Sequence, residues 1–197
     1  MKQSAIRKAN KALYTRIVAG VGGLLAGALS LGLSIYETRT GAEVEQVASG
    51  TAVNTGQWKV TLVSANTADQ TPDGLHVADG KKVLTIDLTL ENLTAESSNL
   101  YRDTLKLENI PNAPIPQFYL PRDRDVLWDL QPRMPEVVKA AWELPASQKL
   151  PDIVKVTIVG TTYKAKDNLY AAPGWFNPTD VARVDLPLSP ATGGTLP

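Results

Sequence analysis

Val83-Leu84-Thr85-Ile86-Asp87-Leu88-Thr89-Leu90 carries the clearest pattern in the chain. Leu84, Ile86, Leu88 and Leu90 fall on one side and Thr85, Asp87 and Thr89 on the other. A period of two is the signature of a strand with one buried face. Outward from it the pattern recurs in Trp58-Lys-Val60-Thr-Leu62, Ala140-Ala-Trp142-Glu-Leu144, Val154-Lys-Val156-Thr-Ile158 and Val181-Ala-Arg-Val184-Asp-Leu186. Shorter candidates lie at Thr104–Leu107 and Gln117–Leu120. About seven strands in roughly 130 residues, with few helix candidates between them, predict an all-β, antiparallel two-sheet sandwich over 57–188.

The connections are punctuated by proline. Four prolines fall between Pro111 and Pro121, which excludes a helix or a central strand there. Asp167–Pro178 reads as a second long loop and 189–197 as a small, polar tail.

The 197 residues include 20 Lys+Arg, 20 Asp+Glu, one His and no Cys. Without cysteine there is no thiolate catalysis, disulfide, iron–sulfur cluster or thiolate zinc site. The lone His76 has no second histidine with which to share a metal. The balanced charge hides an asymmetry. Lys2, Arg7, Lys8, Lys11 and Arg16 precede residue 17 with no acid among them, and all 20 acids follow Tyr36. A slightly acidic body gives no reason to expect nucleic acid as a partner.

Ile17–Tyr36 is an uncharged run of 20 residues. At about 1.5 Å rise per residue, a helix of that length crosses the roughly 30 Å hydrocarbon core. With the five bases on its N-terminal side, the expectation is a basic cytoplasmic segment (1–16), a transmembrane helix (17–36), a linker (37–56) and an extracytoplasmic body. A cleaved signal peptide is the rival, with Ala26-Gly27-Ala28 as its exit, although the uncharged run continues past that point. In helical projection Ala19, Gly23, Ala26, Gly27, Ser30 and Ser34 share one face, and Ala19, Gly23 and Gly27 form successive small-xxx-small steps. Such a face suits close packing against another helix in a membrane, so these six are the candidate helix-packing residues.

Three segments of the body resemble a known group: Gln57-Trp58-Lys-Val-Thr-Leu62, the long alternating Lys82–Asn92, and Lys139-Ala-Ala-Trp-Glu-Leu-Pro145. Together they resemble the immunoglobulin-like extracytoplasmic domain of unknown function found in bacterial lipoproteins and membrane-anchored proteins, whose fold is related to an immunoglobulin-like family named after a telomeric-repeat-binding factor. The resemblance covers roughly residues 50–165. It implies an immunoglobulin-like sandwich and an accessory or binding module with no shared activity.

The sequence offers little chemistry. Asp123, Asp125 and Asp129 lie close together, but Arg122 and Arg124 interleave with them, as in local ion pairs on a solvated loop. Asp69, Asp73 and Asp79 lack the spacing of a calcium loop and fit a turn-rich hairpin. Asn92-Leu-Thr94 matches a glycosylation acceptor, and equally the turn chemistry of an Asn that ends a strand. No phosphate-binding glycine loop or nucleophile elbow occurs. No cofactor and no metal is expected. What remains is aromatics in proline-rich loops: Phe118, Tyr119, Tyr170, Trp175 and Phe176. They either anchor a protein interface or cover the open ends of the sandwich. The expectation is a non-enzymatic accessory subunit of a bacterial membrane or envelope complex, in contact with the membrane and with other membrane-protein subunits. Its build is similar to accessory subunits of respiratory supercomplexes. A ligand-binding module for wall polymer or small molecule is the alternative, and a carboxylate-dependent hydrolase the third.

Overall fold

The computed structural model describes residues 44–190 and, before them, Ser30 alone. Apart from Ser30, the expected transmembrane span lies outside the described residues, and so do Ala19, Gly23, Ala26, Gly27 and Ser34.

Ten strands make up the body: β1 (Glu45–Val47), β2 (Ala52–Asn54), β3 (Trp58–Ala68), β4 (Lys81–Asn92), β5 (Leu105–Leu107), β6 (Gln117–Leu120), β7 (Asp125–Val126), β8 (Pro135–Pro145), β9 (Ile153–Lys164) and β10 (Gly174–Ser189). One sheet runs β5-β9-β10-β1 and the other β2-β3-β4-β8-β6-β7. β10 joins them. Its residues 174–187 pair with β9, and its last two, Leu188 and Ser189, pair with Ala65 and Asn66 of β3.

The alternating segments face one another across a single core. Leu84, Ile86, Leu88 and Leu90 of β4 meet Val138, Ala140, Trp142 and Leu144 of β8 on one side, and Val154, Val156, Ile158, Ala182, Val184 and Leu186 of β9 and β10 on the other. In β3 the buried positions run Trp58, Val60, Leu62 and then Ala65. A register shift between Leu62 and Ser64 leaves Val63 unpaired and half exposed. One extra residue thus turns the core-facing set from even to odd numbers.

Several expectations change in detail. The stretch read as linker to Gly56 already holds β1 and β2. These are made by backbone pairing rather than by an apolar period, which is why they leave no pattern. β1–β10 and β10–β3 are parallel, an exception to the expected antiparallel order. The second proline-containing loop is shorter than Asp167–Pro178, because β10 begins at Gly174. β10 accommodates Pro178 at a register shift between Phe176 and Thr179, with Asn177 at φ 55°. Asp69–Gly80 is the hairpin connection expected, with Gly74 and Gly80 at positive φ. His76 bonds Gln70 across it at 2.9 Å.

Tyr101 ties the core together. Its ring stands edge-on to Trp58 (5.8 Å) and to Phe118 (5.0 Å). Its Oη lies 2.6 Å from the Leu127 carbonyl and 3.0 Å from that of Trp128, sharing one hydrogen between them. Burial pushes the phenol up from 10.0 to about 12. A raised folded-state pKa means stability that is full below pH 10 and declines as pH climbs through 12. Tyr101→Phe should lose about 1–2 kcal/mol at neutral pH. In alkaline unfolding titrations it should also lack that part of the wild-type decline.

Candidate interaction cleft

At one end of the sandwich, β3 begins, β4 ends, and the β9–β10 hairpin closes. The turn between β2 and β3 is set by Thr55, whose amide donates to the Trp58 carbonyl (2.8 Å), and by Gly56, whose amide donates to Asn54 Oδ1 (2.8 Å). The Thr161 amide of β9 donates to the Thr55 carbonyl at 2.9 Å, clamping this turn against the opposite sheet. Gly56 and Gly160 permit the contact. A Cβ on Gly56 would stand 2.3 Å from the Thr161 carbonyl oxygen, and one on Gly160 would stand 2.9 Å from the Thr55 carbonyl oxygen.

That clamp brings Gln57 and Trp58 beside Trp175. The far wall is the connection after β4. Asn92, fully buried, donates from Nδ2 to the Glu96 (2.7 Å) and Leu130 (2.9 Å) carbonyls and accepts from the Thr94 amide (3.0 Å). This is the strand-ending turn the sequence suggested for Asn92. Gln57 Nε2 donates to Ser98 Oγ at 3.0 Å and fixes the wall to β3.

Between these walls lies a two-part cleft. The outer part, about 610 Å³, is lined by Gln57, Glu96, Leu100, Asp129, Tyr163 and Trp175 among others. The inner part, about 340 Å³, shares Gln57, Leu100 and Trp175 and adds Trp58, Asp103 and Phe176. Tyr163 and Trp175 are cross-strand partners on β9 and β10, with their rings edge-to-face at 5.4 Å. Tyr170 stacks on Phe176 at 6.0 Å, and Lys164 Nζ stands 5.6 Å from the Phe176 ring centre. Asp167 orders the loop that carries Tyr170. It accepts from the Leu169 and Tyr170 amides and pairs with Lys164 at 3.1 Å. The Leu169 amide, and then the Lys164 ammonium, hold its carboxyl below the usual range. Beside it Leu169 and Tyr170 are largely exposed, 80% and 68%.

The five candidate interaction residues therefore divide. Tyr170, Trp175 and Phe176 come together at this end. Phe118 and Tyr119 do not join them. Phe118 is 1% exposed, inside the core against Tyr101, and Tyr119 is 7% exposed, on the outer face of its sheet with Val83 and Ala141. Both lie on β6, and a strand between two prolines still buries its side chains on either face. Sequence reasoning missed Tyr163, Leu100 and Gln57. Only the β9–β10 register, which sets Tyr163 opposite Trp175, could have found Tyr163.

Of the three carboxylates expected to pair with the interleaved arginines, Asp123 alone forms an ion pair among the described residues. Arg122 pairs with Asp123 and with Glu136, each at 3.1 Å, and Asp125 accepts from the Val126 amide at 2.7 Å.

The strands define an all-β two-sheet sandwich. No protein-family model matches the sequence, and no curated protein matches it. Among solved structures the chain is similar to an uncharacterized β-sandwich protein from Clostridium difficile 630, at 11% identity and a TM-score of 0.46, over 74% of this chain and 95% of that one.

Proposed function

We propose that this protein is a non-enzymatic, membrane-anchored accessory subunit of a bacterial envelope complex. In this reading an immunoglobulin-like sandwich outside the cytoplasmic membrane docks partner subunits through its aromatic cleft. The observation that carries it is a set of residues more than half exposed at one end of the sandwich: Leu100 and Tyr163, which line the cleft with the half-buried Trp175, and Tyr170, stacked on the half-buried Phe176. Aromatics held on rigid elements around a pocket are the composition of interface hot spots.

The immunoglobulin-like assignment draws support from β3, β4 and β8, which coincide with the three segments of the sequence resemblance, and from a first edge split between the sheets, β1 on one and β2 on the other.

The test is co-purification from membranes in mild detergent. Trp175→Ala should lower partner yield at least about tenfold, as removal of a hot-spot side chain does. Gly23→Leu and Gly27→Leu should lower it through the helix, each by on the order of 1–2 kcal/mol. Leu24→Ala should do less. Equal yields from all variants would refute the docking role. The volume of the cleft also favours a second reading, a ligand-binding module. That protein would purify alone and gain thermal stability with a wall glycan.

A further inference from the structure

We propose that the cleft receives a basic side chain, arginine or lysine, presented by an exposed segment of a partner protein. The inference rests on the docking reading above and names the chemistry the partner must bring.

Charge is the first ground. Glu96, Asp103 and Asp129 line the two parts of the cleft, and no lysine or arginine lines either. None of the three carboxylates has an ion-pair partner among the described residues, whereas the acids elsewhere on the surface frequently do. Of the neighbouring cations, Lys164 is paired with Asp167, and Arg102 lines a different hollow and stands near the Tyr101 hydroxyl without forming an ion pair among the described residues.

Aromatic chemistry is the second. Trp175 and Tyr163 flank the same space, and ring faces attract cations, arginine above all. The domain already uses this interaction at the same end, where Lys164 sits over Phe176.

The third ground is an unmet donor. Trp58 walls the inner part, and its indole Nε1 is the buried side-chain nitrogen or oxygen without a hydrogen-bond partner among the described residues. A buried N–H without an acceptor is destabilising. A peptide supplies the cation for the carboxylates and rings; the indole nitrogen has no accessible surface, so a main-chain carbonyl reaches it only if the inner wall opens around the bound segment.

The experiment uses the full chain in mild detergent and follows tryptophan fluorescence. The probes are acetyl-Gly-Arg-Gly-amide and its Glu counterpart. The Arg peptide should bind saturably and more weakly as salt rises, and the Glu peptide should not bind. Glu96→Gln with Asp129→Asn should weaken the Arg peptide at least about tenfold, a change of 1.4 kcal/mol. Asp123→Asn with Asp125→Asn, on the β6–β7 turn, should leave it unchanged. Absence of saturable Arg binding, equal binding of the two peptides, or indifference to the Glu96 and Asp129 changes would overturn the proposal. Dimers dispersed by those same changes would overturn it too, by making the occupant a second copy of the chain. If Trp175→Ala abolishes co-purification while the Glu96 and Asp129 changes do not, docking stands and the basic side chain falls. If Trp175→Ala has no effect on co-purification, the docking reading itself falls.

Discussion

Gly56→Ala is expected to lower the stability of the sandwich by about 2–4 kcal/mol. Two effects add. Gly56 has φ +91°, where an L side chain is strained, and its Cβ would collide with the Thr161 carbonyl oxygen at 2.3 Å and press Trp175 at 3.2 Å. The first obstacle is backbone in the opposite sheet and cannot rotate away. Gly50 separates the effects, because it has φ +82° with nothing within 4 Å of a new Cβ. Gly50→Ala should therefore lose only the conformational part, about 1–2 kcal/mol. Urea unfolding of the two variants measures the difference. Equal losses would mean that the close approach of the β2–β3 turn to β9 contributes nothing.

Trp58→Ala should destabilise more, by about 3–5 kcal/mol, as truncation of a buried tryptophan does. Trp58 is 1% exposed and holds one end of the Trp58–Tyr101–Phe118 chain of edge-on rings. Trp58→Phe keeps a ring against Tyr101 and removes the partnerless N–H. The lost area and the relieved polar burial oppose each other, so the net loss should stay within about 1.5 kcal/mol. The comparison is read from thermal and urea unfolding. A Trp58→Phe variant as unstable as Trp58→Ala would show that the indole N–H is satisfied after all. Trp128→Ala, on a residue 68% exposed, is the control and should change little.

What the sequence disclosed follows the physics of each feature. Strands long enough to alternate announced themselves: β4 as Val83–Leu90, β3 from Trp58, β8 through Trp142 and β9 through Val156. Strands β1, β2 and β7, two or three residues each, did not, because they bury little and exist by pairing with longer neighbours. Asn92 was legible for the local part of its role, a turn within four residues, but not for its bond to the Leu130 carbonyl. The cleft was not, since it is assembled from five separate segments by strand register. Aromatic residues between prolines looked alike in sequence, and only the third dimension distinguishes Phe118, in the core, from Trp175, at the rim. Glu96 and Asp129 sit 33 positions apart and carry no joint pattern, so their shared cleft emerges only once the wall after β4 is in place.

The central claim is that the cleft end of an anchored domain meets another protein. Photo-crosslinking in intact cells tests it most directly, with Tyr163→p-benzoylphenylalanine in the full chain, since Tyr163 is 54% exposed at the rim. Irradiation should yield one discrete membrane-associated product of protein mass, absent when the same replacement is made at Leu75 on the β3–β4 hairpin and reduced by Trp175→Ala. Identical products from the two positions, or no protein product from Tyr163, would contradict the account.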